Sequence, residues 1–187
     1  IVPIFKNNQQ LNHIKSYLGD FFKFCVDADI RYFLDERKSL SPGFKFNEWE
    51  LKGVPLRIEI GPRDLENNSV VLARRDIEGK INIDIFQLND TIQHLLKEIQ
   101  NSLFNQALKF KEKNTFNCNS YNEFKLLIAK GGFVRCGWDG SRKTENKIKK
   151  ETKATIRCIP FDENIKKLNC IYSNKPAKHE VLFARSY

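Results

Sequence analysis

Phe46 and Glu50 stand four residues apart, and Arg57 follows inside an alternating apolar run that closes on Gly61-Pro62-Arg63-Asp64. Helical positions four apart share a face, so a helix through residues 44–52 presents the Phe46 ring and the Glu50 carboxylate together. Trp49, one position off that line, is able to turn inward. The ring offers a stacking surface, the carboxylate accepts two N–H donors, and the guanidinium groups of Arg57 and Arg63 add donors and charge, with Asp64 beside them. An unpaired guanine matches this set, because its Watson–Crick edge presents two N–H donors and its face stacks. Single-stranded RNA loops are read in this way, and each stacked base contributes about 1–3 kcal/mol. The same residues also suit a packed core in which Phe44, Phe46 and Trp49 are buried and Glu50 pairs with Arg57 or Lys52. Residue types alone leave both readings open.

The elements around them follow from periodicity. IVPIF reads as a short buried strand. Leu11, Ile14, Leu18, Phe21, Phe22 and Cys25 recur at helical spacing, with Asn7 and Asn8 as caps. DIRYFLD reads as a second strand, SPG at 41–43 as a turn, and Phe44 to Lys52 as a helix closed by Gly53. Val54, Leu56, Ile58 and Ile60 alternate strictly, so Arg57 and Glu59 share the opposite, polar face. SVVLARR, the turn DIEG and KINIDIF form a hairpin pattern, and a long amphipathic helix follows with Ile92, Leu95, Leu96, Ile99 and Leu103 on one side. A second unit opens near Asn114. Ser120 and Glu123 have capping-box spacing for a helix that ends at Gly131-Gly132. FVRC, ATIRCIPF and HEVLFARSY read as strands, and residues 141–153 as a lysine-rich helix. The order predicts an α/β fold: a small mixed-sheet domain flanked by helices over 1–113, then a smaller α+β domain over 114–187.

Charge divides along the same line. Residues 1–90 hold 13 Lys/Arg against 14 Asp/Glu, whereas residues 91–187 hold 19 against 9. Such a basic half suits a polyanionic partner or a solvated lysine-rich surface. No apolar run reaches a membrane span, so no membrane partner is expected. The five cysteines are unevenly spaced and do not resemble a secreted disulfide framework, which favours a cytoplasmic location. The absence of methionine and a strand already under way at Ile1 suggest a piece of a longer protein.

The stretch GFKFNEWELKGVPLRIEIGPRD resembles the anticodon-binding domain of class II prolyl-tRNA synthetases. The resemblance continues through VVLARRD, ATIRCIPF, KPAK and LFARSY, and is to the archaeal/eukaryotic type with an extra C-terminal domain. It implies recognition of the anticodon loop of the proline tRNA, which contains two guanines. Phe46 would stack, Glu50 would accept from a guanine, and Arg57, Arg63 and Asp64 would complete the reader; Phe44 and Trp49 are left to packing. Arg74 and Arg75 are candidates for backbone contacts or simple surface residues. The parent enzyme would use ATP and Mg²⁺, act as a homodimer and carry its catalytic domain before Ile1. No catalytic or cofactor-binding residue is expected in this span itself. A stand-alone RNA-binding or interaction module with the same fold is the alternative.

The same resemblance brings in a zinc site of four cysteines. Here Cys136 and Cys170 keep their places, while Ser141 and Ser173 stand where the other two thiolates would be. Serine oxygens are poor zinc ligands, so the domain is expected to fold without metal, with Cys136 and Cys170 close together and Cys158 in the core. A residual site from Cys136, Cys158 and Cys170 is the other arrangement. The resemblance also implies that the carboxylate of Tyr187 reaches towards the catalytic domain.

Overall fold

The computed structural model describes residues 1–162 and 168–185; Tyr187 lies outside the described residues. The chain divides into two compact units, Ile1–Asn105 and Gln106–Tyr187.

In the first unit, β1 (Val2–Pro3), β2 (Leu56–Ile60), β3 (Ser69–Arg74) and β4 (Lys80–Asp84) form one mixed sheet in that order. β1 is parallel to β2, and the remaining pairings are antiparallel. Helices α1 (Asn8–Tyr17), α2 (Gly19–Asp27) and α5 (Leu88–Lys113) supply Ile14, Leu18, Phe21, Cys25, Leu88, Ile92 and Leu95 to a core with Ile58, Ile60, Val70 and Leu72. The polar face of β2 carries Arg57 and Glu59, and α3 (Pro42–Leu51) lies on that side, since Arg57 donates to the Phe46 carbonyl. The division between units falls inside α5.

Several expectations are corrected here. The apolar spacing through Cys25 spans two helices, α1 and α2, with Leu18 capping one and opening the next. Both halves feed the same core, so the periodicity survives the break. DIRYFLD forms no strand. Its rings pack on helices instead, with Tyr32 stacked on Phe22 at 5.2 Å and Phe33 tilted against Trp49 at 4.9 Å. Phe44 is 54% exposed and does not pack as expected. Residues 62–66 form a short helix, α4 (Pro62–Glu66), rather than a simple corner.

In the second unit, β5 (Thr115–Asn117), β6 (Phe133–Trp138), β8 (His179–Arg185) and β7 (Ala154–Cys158) make a mixed sheet in that order. Helices α6 (Tyr121–Lys130) and α7 (Arg142–Thr152) pack on it around Phe124, whose ring meets Phe183 edge-on at 5.3 Å. Ser120 sits at the N-cap of α6 without a side-chain cap bond, so the expected capping box does not form. Glu123 instead lies 3.5 Å from the Cys118 thiol. Cys158 is exposed at the end of β7, contrary to its apolar context, where the pairing with β8 is irregular.

Candidate nucleic-acid interface

Helix α3 is fixed before it presents anything. Ser41 caps it, accepting from the Phe44 N–H at 3.3 Å, and Pro42 occupies the first turn, where its missing N–H costs nothing. Gly53 then takes a left-handed φ of 77° just past the end. One side of the helix is tied to Asp35, which is fully buried. The Asp35 carboxylate accepts two bonds from Arg37, at 2.8 and 2.7 Å, and one from the Trp49 indole N–H at 2.9 Å. Lys45 donates to the Asp35 carbonyl at 3.1 Å, and Arg37 also bonds Glu48 at 2.6 Å. The Arg37 hydrogen bonds, more than any other influence, hold the Asp35 carboxyl well below its ordinary range.

With Lys45, Glu48 and Trp49 thus engaged, the other side of α3 offers Phe46 and Glu50. The Arg57 guanidinium lies 4.7 Å from the centroid of the Phe46 ring, and the Lys80 ammonium 4.8 Å from it. Both cations are held by Glu59, which is only 4% exposed. Arg57 Nε donates to one carboxylate oxygen at 3.0 Å, and Lys80 Nζ to the other at 2.6 Å. A half-buried aromatic ring thereby lies against two positive charges, a cation–π arrangement. Glu50, Arg57 and Lys80 line an open cleft of about 450 Å³, together with Trp49, Ala73 and Arg75. Glu50 is exposed, and its carboxylate makes no hydrogen bond or ion pair among the described residues. The cleft combines a free acceptor and donors, and two of its lining cations, Arg57 and Lys80, lie over the Phe46 ring; ring, acceptor and donors are the inventory an unpaired base requires.

Arg63 and Asp64 lie elsewhere. Arg57 is near the start of β2 and they follow its end, so roughly 10 Å of strand intervenes. Arg63 is exposed on α4, without an ion-pair partner among the described residues. Asp64 accepts from the Gly61 N–H at 2.7 Å and so caps α4. Arg74 is saturated by Asp76 and Glu98, whereas Arg75 is exposed and reaches the Gly53 carbonyl at 3.4 Å.

Sequence reasoning missed Lys80, though the hairpin held the signal. Arg57 pairs across to Ala73, and Ala73 to Lys80. The two cations therefore share one cross-strand row with a small residue between them, and the DIEG turn sets that register.

The degenerate zinc positions hold a hydrogen-bond network. Asp139 accepts from the Ser141 N–H at 3.0 Å, the Thr144 hydroxyl at 2.8 Å and the Ser173 hydroxyl at 2.7 Å. Burial opposes its ionisation, but these bonds, with one from Cys170, keep its carboxyl below the usual range. Burial pushes the Cys136 thiol up, away from the thiolate that zinc requires. Cys170 bridges Gly137, next to Cys136, while Cys158 is exposed. With two hydroxyls among its four positions, this donor set does not fit a tetrathiolate zinc centre.

Residues 1–95 match the family model described as anticodon binding domain, and residues 121–187 match that described as the C-terminal part of prolyl-tRNA synthetase. The proline–tRNA ligase of Cytophaga hutchinsonii is 47% identical over 188 residues, covering 100% of this chain and 38% of the relative. That of Porphyromonas gingivalis is 42% identical over 187 residues, with 100% and 38% covered. That of Roseiflexus castenholzii is 47% identical over 190 residues, with 100% and 39% covered. The chain thus spans about two-fifths of the length of the curated relatives it matches. A model that takes in half of the chain, and relatives that align along all of it, place the protein in the anticodon-binding-domain family, as the counterpart of the C-terminal part of proline–tRNA ligases.

Proposed function

We propose that this chain reads the anticodon loop of the proline tRNA as the C-terminal part of a proline–tRNA ligase, with residues 1–113 as its reading unit. The observation that carries the proposal is the unpartnered Glu50 carboxylate in one open cleft with Arg57 and Lys80, the two cations that lie over the Phe46 ring. A guanine stacked on Phe46 turns its edge to Glu50. Arg57 and Lys80 lie where they offset the phosphate charge. Arg63, on α4, takes a second nucleotide or its phosphate, and Asp64 holds the α4 turn from which Arg63 projects. ATP, Mg²⁺, the homodimer contact and proline activation belong to the catalytic part of the parent enzyme, towards which Tyr187 would point.

The test is equilibrium binding of the chain to a proline anticodon stem-loop and to one with both guanines replaced. Wild type is expected to prefer the guanine loop by about tenfold or more, since hydrogen bonds to charged groups contribute about 1.5–3 kcal/mol. Glu50→Ala should abolish the preference and Arg57→Ala should weaken it. A preference left intact in both variants would falsify the assignment.

A further inference from the structure

We propose that helix α7 is a second RNA-binding surface, a sequence-independent grip on the sugar–phosphate backbone of the RNA whose loop the α3–β2 cleft reads. The identity of that RNA rests on the proposed function; the chemistry of α7 does not.

At 3.6 residues per turn, Arg142, Lys143, Lys147, Lys149 and Lys150 all fall within one arc of about 160°, shared only with Asn146. All five cations are exposed. Three of the remaining side chains are engaged elsewhere. Thr144 and Ile148 are buried, and Glu151 accepts the hydroxyls of Tyr121 and Tyr172 at 2.8 and 3.0 Å. These two rings meet edge-on at 5.0 Å, and Lys125 and Lys147 lie over their faces at 4.8 and 5.6 Å. Of the two acids that flank the basic arc, Glu151 is therefore occupied by phenols, and Glu145 makes no ion pair among the described residues.

Four cations of the first unit are paired. There Arg37, Arg57, Arg74 and Lys80 each sit on a carboxylate within 3.0 Å. In the second unit the ion pairs among the described residues gather on Arg135, and none reaches a cation of α7. Clustered like charges repel along a helix. A polyanion removes that repulsion, and the release of its counterions drives binding. RNA fits better than a membrane, because amphipathic membrane helices insert an apolar face. Ile148, the aliphatic residue of α7, is buried in the core.

The experiment uses the 187-residue chain with the proline tRNA and with the same tRNA carrying replaced anticodon guanines. Lys143→Gln/Lys147→Gln/Lys150→Gln should weaken binding of both RNAs by the same factor, about tenfold or more near 100 mM salt. The slope of log affinity against log salt should become shallower by about 2–3, at about 0.7–0.9 for each phosphate left unneutralised. Lys143→Arg/Lys147→Arg/Lys150→Arg should retain both affinity and slope. Glu50→Ala should do the reverse of the Gln variant, removing discrimination while leaving the slope alone. A Gln variant with unchanged affinity and slope overturns the proposal. So does a variant that loses binding to phosphatidylserine vesicles but keeps its RNA affinity. If wild type does not distinguish the two RNAs, the cleft reading fails, while a changed salt slope still upholds the role of α7.

Discussion

Phe46 illustrates how a half-buried ring at a surface is made rigid enough to be useful. Two cations, Arg57 and Lys80, lie over it, both anchored to the buried Glu59 carboxylate. Replacing Lys80 by Met keeps the stem but leaves Glu59 with Arg57 as its remaining cation, and it removes one charge from the cleft. Lys80→Met should therefore weaken RNA binding at low salt while leaving guanine preference intact, as titrations at two salt concentrations will show. Phe46→Ala should cost about 1–3 kcal/mol of binding, the worth of a stacked base, with little loss of stability because the ring lies outside the core. Phe46, Glu50 and Arg57 are legible as a set because helical spacing and strand alternation are local rules. Lys80 is not, because its place depends on a hairpin register that links it to Arg57 through Ala73. Phe44 departs from expectation for a related reason: composition does not tell which side of a short helix its rings occupy, and here the ring is exposed.

Helix α3 owes its position to a segment whose sequence points to a different structure. Asp35 lies at the end of a stretch that reads as a strand, yet its carboxylate joins Arg37 and Trp49 across gaps of 2 and 14 residues. Long-range polar contacts of this kind leave no periodicity behind, whereas Ile58 and Ile60 in β2 and the buried face of α5 do. The pH dependence follows from the direction of the Asp35 shift. Its carboxyl titrates below the unfolded value of 3.8, so its stabilisation is complete above that value and is lost as pH falls below it. Asp35→Asn should destabilise the first unit by about 3 kcal/mol, as expected when one partner of a buried charge pair is removed. It should also flatten the acid limb of a urea-unfolding profile recorded against pH. The zinc positions show the same limit. Cys136, Ser141, Cys170 and Ser173 are visible as a frame, but Asp139, the acceptor at its centre, belongs to no ligand pattern.

Across the whole chain, the two units divide the chemistry. Residues 1–105 carry 14 Lys/Arg against 15 Asp/Glu and pair the cations around Phe46 with an acid; residues 106–187 carry 18 against 8, and no ion pair among the described residues reaches α7. On the proposed reading, selectivity would come from the near-neutral unit and much of the salt-dependent affinity from the basic one. Charge asymmetry is legible from composition, but its concentration on one helical arc needs α7 to be placed with Ile148 inward. Among the described residues no helix is long and apolar enough to cross a membrane, and both sheets serve to hold surfaces outward. If Glu50 accepts from a guanine edge, inosine reads that contact, because it lacks only the exocyclic amino donor. Binding of wild type and Glu50→Ala to a proline anticodon stem-loop should be measured with each guanine replaced in turn by inosine. One replacement should cost wild type about 1–2 kcal/mol and Glu50→Ala nothing, a coupling that a double-mutant cycle reads directly. Equal losses in the two proteins at both positions, or no loss in wild type, would contradict it.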